Sequence, residues 1–453
     1  MKWCLLAALA TAVLMAVSRD TGQFGWLMLM APVPLMVWSL KSDRAWPVAG
    51  LAFVAGVAGE AGPILFYSRI LTLIYAVAVL QGLMFALAVL FLRALYRRGW
   101  PAAAVIGYAV MTAALEYLYG LVSPNGSFGA LGYDLVDVLP LLQAASLGGV
   151  AALSFLAAII PAGLSAAMVK PRNGWAWAAW TVPALAAVLF GLWSLHQPAG
   201  EAVRVTLVSD DRFAGRAEHD PAINIDAVPA FSAAIAAAGP ADIVVLPEKM
   251  FAPGADFAPL ADSQHALIVA GIDAPAEHGR RRNLAAIYAP GALRGTAPLT
   301  YSKQHMVPGL EAAYIPGDEP FAAGPFGVAI CKDMDFAAAI RPYAHRDVGL
   351  MLVPAWDFGA DRYLHGRMAV VRAVENGFAL ARTASDGLMT VADSHGRIVA
   401  EAHTRQGPAV VTAVVPLGAG HSLYSRIGDA FAQVLTVAWL GLLGALIWRR
   451  REA

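Results

Sequence analysis

The sequence predicts a polytopic α-helical membrane domain of about eight transmembrane helices carrying one inserted α/β domain. Three observations predict it. Only 14% of the 453 residues are charged and 58% are hydrophobic, whereas soluble domains carry about 25% charged residues. The deficit is confined to residues 1–200 and 430–448, while 201–420 have ordinary globular composition. The basic residues between apolar runs also fall mainly in every second connection.

Breaks in the apolar pattern delimit spans at about 3–17, 24–40, 45–67, 70–92, 100–121, 139–169, 174–195 and 430–448. Runs of this kind must be helical, because an open sheet edge cannot face lipid. The first run, behind Lys2, has the look of a signal peptide. More spans follow at once, so it is expected to be retained, although it is short of the roughly 20 residues a crossing needs. With Lys2 inside, the inner connections hold Lys41 and Arg44, then Arg93, Arg97 and Arg98, then Lys170 and Arg172, and the tail holds Arg449, Arg450 and Arg451. The outer connections hold only Arg19 and Arg69, and 122–138 carries Asp134 and Asp137. The positive-inside bias therefore places 201–420 outside the cytoplasm. The domains expected are 1–198, a membrane domain with seven helices; 199–422, an extracytoplasmic catalytic domain; and 423–453, the closing helix with a cytoplasmic basic tail. Glu60 and Glu116 interrupt apolar spans near their outer ends. Each either has a local partner in the bundle or meets a polar substrate group.

In the inserted domain, strand-like runs at 203–209, 243–247, 266–272, 284–288, 327–331, 350–354, 378–383, 388–393 and 409–415 alternate with helical runs at 227–238 and 362–376. That alternation indicates a layered α/β domain. With a net charge of zero, nothing suggests a nucleic-acid partner. Cys4 and Cys331, the two cysteines, lie in different domains and are not expected to pair.

Three places at the ends of strand-like runs carry groups suited to acyl chemistry: Leu246-Pro247-Glu248, Tyr301-Ser302-Lys303 and Ile330-Cys331-Lys332-Asp333. A thiol attacks well only as thiolate. A carboxylate in a site that raises its pKa can take the thiol proton, and a lysine can hold the charge of a thiolate or a developing oxyanion. Each residue alone has a blander reading: a turn acid, a surface cation, a small core side chain. Their order and flanks separate them from that background.

That order, a strand-end Pro-Glu, then Tyr-x-Lys-x-His, then Ile-Cys, resembles the nitrilase or carbon–nitrogen hydrolase superfamily. The run Tyr301-Ser302-Lys303-Gln304-His305-Met306-Val307-Pro308-Gly309-Leu310-Glu311 resembles more narrowly the apolipoprotein N-acyltransferases. So do Leu115-Glu116-Tyr117-Leu118-Tyr119-Gly120, Arg372-Ala373-Val374-Glu375-Asn376, Asp393-Ser394-His395-Gly396-Arg397 and Tyr424-Ser425-Arg426-Ile427-Gly428-Asp429. The resemblance implies a nitrilase-like αββα sandwich with Glu248, Lys303 and Cys331 catalytic and with Glu311, Lys332 and Asp333 supporting. Trp356, Phe358 and Glu116 are possible substrate-lining residues. It implies a multi-pass protein of the bacterial inner membrane with its catalytic domain on the periplasmic side, acting without metal or cofactor, and a monomer is expected. The acyl donor would be a phospholipid of the bilayer and the acceptor the α-amine of a lipoprotein's diacylglyceryl-cysteine, through a cysteine thioester. The chain departs from the family at Cys331-Lys332-Asp333, where Cys-Tyr-Glu is usual. It departs again at Pro124-Asn125-Gly126-Ser127-Phe128 and at Pro354-Ala355-Trp356-Asp357-Phe358. These changes leave two rivals: a membrane-tethered amidase or an acyltransferase with another acceptor, and an inactive scaffold, which the intact triad disfavours.

Overall fold

A computed structural model describes residues 2–20, 24–68, 73–292, 297–404 and 407–448. The chain forms two compact units. One runs from the N-terminus to Ser123, with Ser127–His196 and the segment from Ile427 onward. The other comprises Pro124–Gly126 and Gln197–Arg426.

The first unit is helical. Among the described residues six helices are long and apolar enough to cross a membrane: Lys2–Asp20, Ile74–Arg97, Pro101–Val122, Ala145–Val169, Gly174–Leu195 and Ala430–Trp448. A seventh span arises if Ala45–Gly59 and Ala61–Tyr67, bent by 49° at a break, are counted together. The expected eighth, at 24–40, is instead a 3-10 turn, Gly25–Leu29, followed by a nine-residue helix, Val33–Lys41. Pro32 and Pro34 explain this, because neither ring nitrogen has a proton to continue a helical ladder from the preceding turn. Arg69 and Arg449–Arg451, used above to orient the chain, lie outside the described residues. Arg19 is not a loop residue but sits buried in the last turn of the first helix, paired with Glu60 at the bend and donating to the Gly129 carbonyl. Glu116 accepts a hydrogen bond from the Leu131 N–H at 3.0 Å. Both intramembrane carboxylates thus have local partners. Arg93 and Arg97 donate to the backbone carbonyl of Ser42, so these two basic connections meet at one end of the bundle.

The second unit contains two six-stranded sheets. Its strands are β1 (Ala202–Asp210), β2 (Ile243–Val245), β3 (Leu267–Pro275), β4 (Arg281–Tyr288), β5 (Leu299–Ser302), β6 (Phe321–Ala323), β7 (Phe326–Val328), β8 (Leu350–Trp356), β9 (Ala379–Ser385), β10 (Leu388–Ala392), β11 (Ile398–His403) and β12 (Pro408–Pro416). One sheet has the order β12-β1-β2-β3-β4-β5 and the other β11-β10-β9-β8-β7-β6. Both repeat one pairing pattern. An antiparallel strand borders three parallel strands, β1-β2-β3 or β7-β8-β9, and two antiparallel strands follow.

Val205, Leu207, Val245 and Val269 of the first sheet meet Leu352, Ala381 and Val391 of the second in one apolar layer. The outer face of the first sheet is covered by helices Asn224–Ala238 and Ala258–Gln264, through an aromatic cluster of Phe231, Phe251 and Phe257. Helices Ala337–Ala344 and Arg362–Asn376 accompany the second sheet. This is the αββα sandwich. All nine expected strands are present. The sequence reading lacked β5, β6 and β11, and the helices Ala258–Gln264 and Ala337–Ala344.

Candidate active site

Three short excursions beyond strand ends build the site, and backbone hydrogen bonds hold each in place. After β2, the Leu246 N–H donates to the Val269 carbonyl, and the Met250 and Phe251 N–H groups both reach the Gly271 carbonyl at 3.0 Å. Glu248 sits in this turn and is buried. The turn presses on β3 so closely that a Cβ at Gly271 would lie 2.1 Å from the Pro247 carbonyl oxygen and 2.6 Å from the Glu248 Cα. Gly271→Ala is therefore expected to displace Glu248. It should destabilise the unit by about 1–3 kcal/mol and slow the reaction by well over tenfold, as thermal melts and single-turnover rates would report. Unchanged kinetics would mean that the turn relaxes without moving the carboxylate.

After β5, the Lys303 N–H donates to the Asn283 carbonyl and the Lys303 carbonyl accepts from Gly317. The side chain is 1% exposed. Its Nζ lies 2.7 Å from Glu248 Oε1 and 2.7 Å from Glu311 Oε2. Asn283 Nδ2 bridges the same carboxylates, at 2.6 Å from Glu248 Oε1 and 3.0 Å from Glu311 Oε1. Burial alone would lower the Lys303 pKa. Glu248, Glu311 and the nearby Cys331 thiol outweigh it and hold Lys303 well above the ordinary lysine range. Lys303 is thus held as an ammonium between the two carboxylates. Burial would raise the pKa of Glu311, but Lys303 and Lys249 pull it down to about 2.

After β7, Cys331 opens a single 3-10 turn, Cys331–Asp335. Its φ is +42°, and Lys249, directly after Glu248, has φ +49°. Non-glycine residues in this region cost about 1 kcal/mol or more and collect where surrounding structure over-determines them. The Cys331 thiol faces the Trp356 carbonyl at 3.6 Å. Burial, then Glu248, raises its pKa well above that of a free thiol, against the pull of Lys303 and Arg382. The buried site therefore favours the protonated thiol over the thiolate.

The residues expected to support the site separate by position. Glu311 contacts Lys303 directly. Asp333 is fully buried and ties the cysteine turn to the lysine strand. It accepts from Tyr301 Oη at 2.7 Å and Ile330 N at 3.0 Å through Oδ2, and from Gln304 N and His305 N at 3.0 and 2.8 Å through Oδ1. Lys332 points to Asn125 Oδ1 at 2.9 Å, in the Pro124–Gly126 segment of the same unit, and to Asp335 Oδ2 at 3.1 Å. Trp356 is half-buried and supplies the carbonyl facing Cys331. Phe358 follows β8, where its N–H donates to Asp361 Oδ1. Glu116 belongs to the helical unit.

Three participants were missed from sequence. Asn283 lies within a strand pattern that carries no chemical signal. Arg382, paired with Asp357 in the core beside Cys331, lies in the strand-like run 378–383, which carries no chemical signal there. Lys249 adjoins Glu248 and drew no reading of its own. Among the described residues no group of histidine, cysteine, aspartate and glutamate side chains could hold a metal ion.

Comparison with known proteins agrees with the sequence reading. Residues 11–163 match the family model of the apolipoprotein N-acyltransferase N-terminal domain. The chain is 29% identical to an apolipoprotein N-acyltransferase of Geobacter metallireducens over 99% of its own length and 96% of that protein's. It is 27% identical to one of Bradyrhizobium diazoefficiens, covering 80% of the chain and 76% of the relative. Among solved structures, Saccharomyces cerevisiae Nit3 of the nitrilase superfamily aligns over 48% of this chain and 91% of its own, at 20% identity and a TM-score of 0.41. The resemblance to apolipoprotein N-acyltransferases read from the motifs thus runs through the apolar helices and the α/β domain alike, and it supports a bacterial membrane enzyme of the carbon–nitrogen hydrolase-type acyltransferases.

Proposed function

We propose that this chain transfers a fatty acyl group from a membrane phospholipid to the α-amine of a lipoprotein's N-terminal diacylglyceryl-cysteine, through a thioester on Cys331. The observation that carries the reading is the shared ammonium. Lys303 Nζ bridges two buried carboxylates beside a buried thiol, the arrangement needed to activate sulfur and stabilise a tetrahedral oxyanion.

Glu248 takes the proton from Cys331 Sγ as sulfur forms a bond to the ester carbonyl carbon. Negative charge gathers on the carbonyl oxygen. Lys303 balances it, together with the Lys332 N–H, which lies in the first turn of the 3-10 segment where such groups lack a partner within the turn. The intermediate collapses, the carbon–oxygen ester bond breaks, and Glu248 returns the proton to the departing lysophospholipid hydroxyl. The amine then attacks the thioester carbonyl and gives a proton to Glu248. The carbon–sulfur bond breaks, an amide forms, and the thiol recovers its proton. A site where the cysteine is only 9% exposed favours an amine held in place over bulk water. A bilayer-anchored enzyme also avoids extracting acyl chains into water at about 0.8 kcal/mol per CH₂. The distribution of basic residues supports a periplasmic catalytic domain.

The test is the intact mass of the detergent-solubilised protein after incubation with phospholipid. The wild type is expected to gain one fatty-acyl mass that hydroxylamine or a diacylglyceryl-cysteine peptide removes, and Cys331→Ala is expected to gain none. A wild type that stays unmodified, or that loses the acyl group to water as fast as to the peptide, would overturn the transferase reading in favour of a hydrolase.

A further inference from the structure

Lys249 lies outside the Glu248–Lys303–Cys331 set, yet its ammonium is built into the same cluster. Its Nζ donates to Glu311 Oε1 at 3.0 Å, while Lys303 holds the other oxygen of that carboxylate. The ammonium lies 4.8 Å from the centre of the Tyr314 ring and 5.4 Å from that of Trp356, the residue whose carbonyl faces the Cys331 thiol. Lys249 also occupies a left-handed backbone position that a glycine would take at less cost. Its side chain is 12% exposed.

The charges around the thiol show what this ammonium contributes. Glu248 and Glu311 carry two negative charges and Lys303 one positive. Arg382 and Asp357, the other charged pair acting on Cys331, cancel each other. Without Lys249 the cluster would hold a net charge of −1 before the cysteine loses its proton. With Lys249 it is neutral. A thiolate or an oxyanion adds one negative charge, and in a buried site that addition is far easier to a neutral cluster than to an anionic one.

We propose that Lys249 is a positioning residue that neutralises Glu311, leaving the charge of Lys303 free for the Cys331 sulfur and the oxyanion. The inference deepens the acyl-transfer reading and rests on its assignment of Cys331 as nucleophile. It needs no acyl donor for its test, so the two can fail separately. Lys249 acts through Glu311 and Lys303 and touches no reacting atom. The surrounding rings of Tyr314 and Trp356 keep its charge close to the cluster by cation–π attraction.

The experiment is the pH profile of Cys331 alkylation by iodoacetamide in the full-length, detergent-solubilised protein, read on the Cys331 peptide by mass spectrometry so that Cys4 does not interfere. Lys249→Met keeps the length and packing of the side chain without its charge. The sign follows from the charge removed: losing a cation disfavours the thiolate, so the profile moves to higher pH. The expected shift is about one pH unit, seen as a roughly tenfold slower reaction at any pH below the wild-type midpoint. Lys249→Arg is expected to restore the wild-type profile. An unshifted Lys249→Met profile would overturn the inference. So would a uniform loss of rate at every pH that Lys249→Arg fails to restore, because that result assigns Lys249 to packing alone. If the profile shifts but no acyl-enzyme forms with phospholipid, the electrostatic role stands and the transferase reading falls.

Discussion

Replacing Lys303 with Met is expected to abolish acyl-enzyme formation and to destabilise the α/β unit at the same time. Two of its hydrogen bonds go to carboxylates that are themselves almost fully buried, Glu248 Oε1 and Glu311 Oε2. Removing the ammonium leaves Asn283 Nδ2 as the remaining bridge between two like charges. Breaking one partner out of such a buried cluster costs about 3–5 kcal/mol. The kinetic loss has two parts. An oxyanion donor is worth about 10²–10³ in rate, and the same positive charge opposes the burial that already raises the Cys331 pKa. Acylation in a single-turnover experiment should slow by at least about 10³-fold. The loss of stability should appear as a lower melting temperature for the α/β unit. Lys249 keeps its bond to Glu311 Oε1 in this variant, so it should soften the destabilisation. In Lys303→Met/Lys249→Met both carboxylates would lack an ammonium and keep only neutral donors such as Asn283 Nδ2, and the melting temperature should fall further. A Lys303→Met enzyme within tenfold of wild type would remove Lys303 from the chemistry.

The legibility of this chain from sequence followed the size of the physical signal. Lipid imposes a severe demand, about twenty apolar residues in a row, so the long helices were readable. The exception at 24–40 is instructive. Its composition is that of a span, but Pro32 and Pro34 break the ladder, and composition averages over such local facts. In the α/β unit, buried central strands such as β3 and β8 announced themselves as apolar runs. β5 and β6 contain four and three residues, too few to establish a period, and β11 is mostly exposed. Glu248 and Cys331 were legible because strand ends and turn residues mark them, and Lys303 because of its Tyr-x-Lys-x-His flanks. Their mutual contacts were not, since 55 residues separate Glu248 from Lys303. Asn283 and Lys249 escaped for the same reason. Nothing local distinguishes a strand asparagine or a lysine in a turn from the many that face solvent. Only the fold shows them meeting one carboxylate.

Asp333→Ala is expected to leave the proposed nucleophile, Cys331, chemically intact but misaligned. The Asp333 carboxylate links two segments that come from different sheets. Ile330 N and the Tyr301 hydroxyl reach one oxygen, and the Gln304 and His305 N–H groups reach the other. It thereby sets the cysteine turn against the residue directly before Gln304, which is Lys303. Alanine would leave the buried Ile330 N–H without its acceptor, at about 1–3 kcal/mol, and would take from the Tyr301 hydroxyl one of its two partners, Tyr343 remaining. The cysteine turn would lose its clamp. A displacement of about 1 Å at the reacting atom can cost about 100-fold in rate, so single-turnover acylation should fall by that order. If Asp333 acts only through position, the fall should appear in kcat while the KM for phospholipid changes little, and the pH midpoint for alkylating Cys331 should move less than in Lys303→Met. Asp333→Glu makes the sharper test, because the related enzymes usually carry glutamate there. In this chain the side chain is fully buried, with its oxygens accepting from three backbone N–H groups and the Tyr301 hydroxyl. One added methylene must push the cysteine turn away from the lysine strand. Glutamate is therefore expected to rescue the rate only in part. Full rescue would mean that the two segments adjust together, and that the shorter acid reflects the backbone spacing of this chain without setting it.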